Sequence, residues 1–148
     1  MPIPAFEPSG LLPAGMHECT LDEVKARFGS FQGSERRPEL FARLSSFIDE
    51  AISSEIVQSV IINGSFATAE SKPNDIDLVV IVCRDHDFSA DLRPVAYNVV
   101  SRKRVQKRFG FDIVAAREGT PELREAIGFF QRVRRAPTLR KGVLRIRL

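Results

Sequence analysis

Two apolar runs at residues 56–62 and 78–82 are joined by a polar segment that contains Gly64-Ser65 and Asp75-Ile76-Asp77. Short runs rich in Val and Ile, bounded by turn-forming residues, are typical of buried strands. The sequence therefore predicts strands at about 56–63 and 76–83. Residues two apart on a strand point to the same face, so we expect the two carboxylates side by side. Adjacent carboxylates repel each other unless a cation neutralises them, and Mg²⁺ held by carboxylates and nucleotide phosphates is a common solution.

The corner after the first strand and a third acid extend this pattern. Gly64 and Ser65 follow Asn63 at a strand-to-loop corner, where backbone N–H groups and a hydroxyl can face phosphate oxygens. Asp112 lies near the start of another predicted strand, and on a neighbouring strand it could complete a three-carboxylate cluster. Two metal ions so held can activate a hydroxyl and stabilise a leaving pyrophosphate. Taken singly, each motif is more often an ordinary turn, cap or solvated strand end.

In this order the motifs resemble the DNA polymerase β-like nucleotidyltransferase superfamily, especially its small single-domain bacterial members. The resemblance implies that Gly64 and Ser65 hold the triphosphate of an NTP. It also implies that Asp75, Asp77 and Asp112 bind Mg²⁺ or Mn²⁺, with Asp112 as the base. The core of the resemblance covers residues 56–116. The segments at residues 12–18 and 141–146 look like the head and tail of an uncharacterised bacterial nucleotidyltransferase-like family.

One departure from that pattern lies in the loop after the Gly-Ser corner. Many minimal members carry Ala-Arg-Gly there, and this chain has Ala67-Thr68-Ala69. The spacing from the Gly-Ser corner to the first aspartate, Asp75, is also one residue shorter than is usual in those members. Lys72 is the candidate to supply the missing phosphate-binding charge.

Length and composition point to a single soluble domain. The chain has 148 residues, of which 43% are hydrophobic and 28% charged, an ordinary composition for a globular protein. No apolar run approaches the ~20 residues that a membrane-spanning helix needs. The first residues lack the basic and then apolar pattern of a signal peptide. We expect a cytoplasmic protein with no membrane partner, in which Cys19 and Cys83 remain thiols.

The remaining pattern predicts an α/β (α+β) fold. Four prolines in residues 1–19 predict an extended N-terminal arm, and residues 20–148 a single domain. Predicted helices cover residues 20–28, 38–54 and 95–107, and another begins at 120 with a buried stripe that includes Phe130 and Val133. An edge strand is expected at 143–148. The result is a mixed sheet with helices mainly on one face, which is compatible with a nucleotidyltransferase core.

Basic residues concentrate in the last third of the chain. Residues 101–148 carry fourteen Lys and Arg against four Asp and Glu. One cluster is Arg102, Lys103, Arg104, Lys107 and Arg108; the other is Arg132, Arg134, Arg135, Arg140, Lys141, Arg145 and Arg147. A polyanionic partner is one explanation: a nucleotide, RNA or an acidic protein. A solvated helix face with cations near its C-terminus accounts for the first cluster, and both readings stay open for the second.

These features predict transfer of a nucleoside monophosphate from an NTP to a hydroxyl, with release of pyrophosphate. The basic C-terminal segment favours an RNA 3′ end or a hydroxyl of a partner protein as acceptor. The resemblance implies a toxin–antitoxin context, with the protein acting on tRNA or on a cognate toxin. The alternative is a catalytically weak or inactive nucleotidyltransferase-fold binding module, an antitoxin-like partner that acts by contact.

Overall fold

The structure is a computed structural model that describes residues 3–30, 33–133 and 136–148, with the backbone alone at 136–138. Its strands are β1 (Gly15–Cys19), β2 (Val57–Asn63), β3 (Asp77–Val82), β4 (Asp112–Arg117), β5 (Arg132–Val133), β6 (Ala136–Arg140) and β7 (Gly142–Arg147). Five of them form a mixed sheet in the order β1-β7-β2-β3-β4, and β5 and β6 form a separate antiparallel hairpin. The β1–β7 and β3–β4 pairs are parallel, while β2 is antiparallel to both β3 and β7.

The helices cover the two faces of the sheet unequally. They are α1 (Leu21–Phe28), α2 (Arg36–Ser54), α3 (Pro94–Val100), α4 (Arg102–Phe109) and α5 (Pro121–Phe130). The first four pack on one face, where α2 contributes the buried Leu44 and Phe47. Helix α5 covers the other face, where Leu123 packs with Ile61 and Val79. The predicted α/β class, with a mixed sheet and helices mainly on one face, is confirmed.

Several predicted boundaries follow from local capping. Thr20 and Glu23 form the expected capping box, in which each side chain accepts a hydrogen bond from the other residue's backbone N–H. Helix α2 ends at Ser54, and Glu55 follows in a left-handed conformation with φ 63°.

No helix among the described residues combines the length and apolarity needed to cross a membrane.

The single helix predicted at 95–107 is wrong, because Ser101 divides it. Ser101 adopts an extended conformation and its side chain accepts a hydrogen bond from Arg104 N, so it caps the start of α4. Serine is favoured at this position because its hydroxyl satisfies a helix N–H that has no partner within the helix. The break places Arg102 in the first turn of the new helix.

The two ends of the chain also differ from the prediction. Strand β7 lies inside the sheet between β1 and β2, so the predicted edge strand is wrong. Its imperfect alternation reflects burial on both faces, as for Val143 and Leu144. The N-terminal segment, predicted as an extended arm over residues 1–19, contributes to the same sheet. Strand β1 belongs to the sheet, and Leu12 is buried in the main core.

Helix α5 ends at Phe130, so Val133 belongs to the β5–β6 hairpin and not to the predicted buried stripe. The base of the hairpin is attached to the body of the domain. Asn63 Nδ2, on β2, donates to the carbonyl of Phe130 (3.0 Å) directly before the hairpin. Lys141 N donates to the carbonyl of Gln131 (2.8 Å) and so joins the two ends of the hairpin to each other.

Candidate functional site

Three polar residues form a row at one end of the sheet. Asn63 on β2 pairs with Asp77 on β3, and Asp77 pairs with Asp112 on β4. Because side chains alternate along strands, this row shares the face of Ile61 and Val79, which α5 covers. Asp112 thus lies on the strand next to that of Asp77, the arrangement on which the suggested three-carboxylate cluster depends. Asn63 is buried, and its Oδ1 has no hydrogen-bond partner among the described residues.

Asp75 lies just before β3 and is held by Ser65. Its Oδ1 accepts hydrogen bonds from Ser65 N (2.8 Å) and Ser65 Oγ (2.7 Å). Ser65 Oγ in turn accepts from the backbone N–H groups of Asn74 (2.8 Å) and Asp75 (3.1 Å). The donors that the resemblance assigns to a phosphate are therefore directed at a carboxylate in this structure.

Gly64 makes the close approach of these two segments possible. Its φ is +90°, a conformation that residues with a side chain rarely adopt. A Cβ at this position would lie 2.9 Å from the carbonyl oxygen of Asp75 and 3.1 Å from Asp77 N. Glycine is thus required here for the packing of the corner against the start of β3.

Two arginines at the start of α2 hold the loop that carries Ser65 and Asp75. Arg37 is only 1% exposed. It donates hydrogen bonds to the carbonyls of Phe66 (2.8 Å), Thr68 (2.7 Å) and Glu70 (3.1 Å from Nε) in the loop, and to Phe28 at the end of α1 (3.2 Å). Burial lowers the pKa of the Arg37 guanidinium, while the nearby Glu70 carboxylate acts in the opposite direction.

Arg36 is partly exposed and binds the same loop nearer to Asp75. It donates to the carbonyls of Pro73 (2.9 Å) and Asn74 (2.6 Å), directly before Asp75. Sequence reasoning missed both arginines. The available signal was the position of Arg37 on the apolar stripe of α2, in line with Leu40, Phe41 and Leu44.

The carboxylates open into a groove of about 1420 Å³ between α4, α5, the ends of β3 and β4, and the β5–β6 hairpin. Its charged lining consists of Asp75, Asp77, Asp112, Glu122, Glu125, Arg102, Arg124, Arg132 and Arg140. Two exposed apolar side chains, Phe129 and Val114, line it as well. Gly64, Ser65 and Lys72 are not part of the lining, and Lys72 is exposed in the loop.

Asp112 forms an ion pair with Arg102, with 2.9 Å between Oδ1 and Nε. Both side chains are largely exposed, so the pair is weak and exchangeable. In the part of the chain that the structure describes, no three His, Cys, Asp or Glu side chains are grouped so as to hold a metal ion. The three acids line one groove, and the ion pair with Arg102 occupies Oδ1 of Asp112.

Among the described residues, the members of the two predicted basic clusters have different contacts. In the first cluster, Arg102 and Arg108 pair with Asp112 and Glu50, and Arg104 lies over the ring of Tyr97.

In the second cluster, Arg132 and Arg140 line the groove. Arg145 and Arg147 instead pair with Glu118 and Glu18 outside it. Arg134 and Arg135 lie outside the described residues.

The fold and this site define a mixed α/β domain with a groove of both charges at one end of its sheet. Residues 4–147 match the family described as Family of unknown function (DUF6932), and the chain belongs to that family. No curated protein and no solved structure matches the chain.

Proposed function

We propose that the protein is a metal-dependent nucleotidyltransferase that moves a nucleoside monophosphate from an NTP to a hydroxyl of RNA or of a partner protein. The observation that carries the proposal is the direct pairing of Asp77 with Asp112 across β3 and β4, with Asp75 in the same groove. Carboxylates concentrated in this way suit a magnesium–nucleotide complex, and the groove arginines suit its phosphates.

In this proposal the protein mainly positions the reactants. Bound Mg²⁺ or Mn²⁺, held by Asp75, Asp77 and Asp112, would supply the charge stabilisation that phosphoryl-type transfer needs. The acceptor oxygen forms a bond to the α-phosphorus while the bond from that phosphorus to the bridging oxygen breaks, and pyrophosphate leaves. Asp112, of which Oδ1 is paired with Arg102, accepts the proton of the hydroxyl.

A second candidate is a binding module without turnover, an antitoxin-like partner of an acidic or cognate toxin protein. The hydrogen bonds of Ser65 to Asp75 and the ion pair of Arg102 with Asp112 favour it, because protein groups already satisfy two of the three carboxylates. Both candidates fit a cytoplasmic protein, since NTPs are available there and the two thiols are free.

Calorimetric titration of ATP in Mg²⁺ or Mn²⁺ tests the metal site. Asp77→Ala is expected to weaken metal-dependent ATP binding at least ~10-fold, a loss of roughly 1.4 kcal/mol. The matched control is Asp91→Ala, which removes an exposed acid outside the groove lining. Equal affinity of the wild type and Asp77→Ala would remove the metal-ligand assignment.

Turnover assays separate the two candidates. Each labelled NTP is incubated with a total RNA pool and with proteins encoded beside the gene, and the products are identified by mass spectrometry. Asp112→Asn is expected to lower the transfer rate on the order of 10²-fold, as for a lost general base, while ATP affinity stays within a few-fold. Absence of transfer to every acceptor would leave the binding module as the function.

A further inference from the structure

The β5–β6 hairpin places two arginines directly opposite each other. Arg132 on β5 is the antiparallel partner of Arg140 on β6. The register is irregular between Arg132 and Val133, but like charges on paired residues of neighbouring strands still destabilise the pairing. Both side chains line the groove. Arg140 Nη1 also donates to the carbonyl of Leu139 (3.1 Å), which helps to order its guanidinium.

The attachment of the hairpin fixes where these arginines lie relative to the carboxylates. The carbonyl of Phe130, two residues before Arg132, accepts a hydrogen bond from Asn63. Asn63 is the cross-strand partner of Asp77. The arginine pair is therefore held at the end of the sheet where Asp77 and Asp112 lie, on the same groove.

The groups that sequence reasoning assigned to the phosphates are placed less favourably. The N–H and hydroxyl of Ser65 both donate to Asp75. Lys72 is exposed and does not line the groove. Guanidinium groups, by contrast, bind phosphate oxygens with paired hydrogen bonds, and an anion between two of them relieves their mutual repulsion.

We propose that Arg132 and Arg140 form the phosphate-binding site of the groove and take the triphosphate of the nucleotide. The inference rests on the proposed function for the identity of the ligand, a nucleoside triphosphate. The same phosphate chemistry could come from the backbone of single-stranded RNA, which the test distinguishes.

The test is calorimetric titration of inorganic tripolyphosphate in EDTA at low salt, so that no metal contributes. Arg132→Gln, Arg140→Gln and the double variant are compared with Arg147→Gln, which removes an exposed arginine paired with Glu18 outside the groove. Each groove variant is expected to weaken binding at least ~5-fold, equivalent to about 1 kcal/mol, and Arg147→Gln less than twofold. Lack of binding by the wild type, or equal loss in Arg147→Gln, would overturn the inference.

A second arm uses an oligouridine single strand with no triphosphate. Affinity for tripolyphosphate that depends on both arginines, with little affinity for the oligomer, supports a nucleotide site. If the groove variants weaken only the oligomer, the ligand is a nucleic-acid backbone and the triphosphate assignment is wrong. In that case log affinity should fall with log salt by roughly 0.7 per phosphate contacted.

Thermal unfolding shows whether the variants fold. Arg132→Gln removes one of two like charges on paired residues, so it is expected to melt at or above the wild-type temperature while binding less tripolyphosphate. The tripolyphosphate titration does not depend on whether the protein catalyses nucleotidyl transfer. Binding without nucleotidyl transfer keeps this inference and overturns the proposed function. Nucleotidyl transfer by the double variant with an unchanged KM for NTP would overturn this inference and support the proposed function.

Discussion

At the scale of single residues, the Gly64-Ser65 corner serves mainly to hold Asp75. The absence of a Cβ at Gly64 lets the corner approach the backbone of Asp75 and Asp77. The two donors of Ser65 then fix the Asp75 carboxylate. A nucleotide phosphate that used these donors would have to compete with that carboxylate.

Gly64→Ala is expected to destabilise the protein by about 1–3 kcal/mol, because it combines an unfavourable φ with a close contact to backbone atoms. Gly128→Ala is the control. Gly128 lies in α5, and an added Cβ there meets no atom within 4 Å, so alanine should stabilise by up to about 1 kcal/mol. Urea unfolding measures both, and equal midpoints for the two variants would contradict the account of Gly64.

At the scale of elements, the start of α2 organises the loop between β2 and β3. Arg37 satisfies loop carbonyls from inside the core, and Arg36 satisfies the two carbonyls before Asp75. Buried carbonyls without partners cost about 1–3 kcal/mol each. The start of α2 therefore supplies hydrogen-bond donors to carbonyls of the loop.

Arg37→Met is expected to lower the free energy of unfolding by at least about 3 kcal/mol, because several carbonyls lose their donor. Arg36→Gln should cost only about 1 kcal/mol, since Arg36 is partly exposed. It should nevertheless speed hydrogen exchange at the amides of Asn74 and Asp75. Arg43→Gln, an exposed change on the same helix, is the control. Unchanged exchange in Arg36→Gln would show that Ser65 alone fixes this segment.

At the scale of the whole molecule, strands from the two ends of the chain pair with each other at one edge of the sheet. Strand β1 pairs along β7 from Gly15 and Gly142 to Cys19 and Ile146. Just before β1, the carbonyl of Leu12 accepts a hydrogen bond from Gly142 N (3.1 Å). The N-terminal segment is thus part of the domain, and the hairpin that carries Arg132 is tied indirectly to it through β7.

Leu12→Ala tests whether the N-terminal segment contributes to the stability of the domain. Leu12 is 1% exposed, and truncation of a buried leucine costs about 2–5 kcal/mol. Ile52→Ala, at a side chain that is 55% exposed, should change stability by less than about 0.5 kcal/mol. Chemical denaturation with both variants decides the matter. A similar small effect at the two positions would mean that residues before β1 contribute little to the fold.

The sequence by itself determined the elements whose patterns are local. The apolar runs of β2 and β3, the cap at Thr20 and the helix start at Thr120 could be predicted because each depends on neighbours within a few residues. Candidate acids were found in the same way, since Asp77 and Asp112 each begin a strand. The break at Ser101 was also local in origin, but the continuing apolar pattern of α3 and α4 concealed it.

Only the tertiary structure decided which distant groups meet. Strand β7 is interior because β1 pairs with its outer edge, and nothing in the alternation of residues 143–148 specifies that partner. Arg37 reads as a charged helix residue, yet it binds carbonyls of a loop about thirty positions away. The pairings of Ser65 with Asp75 and of Arg132 with Arg140 likewise depend on loop geometry and register. Periodicity encodes the face that a residue occupies, whereas its contacts across the fold are set by how the elements pack together.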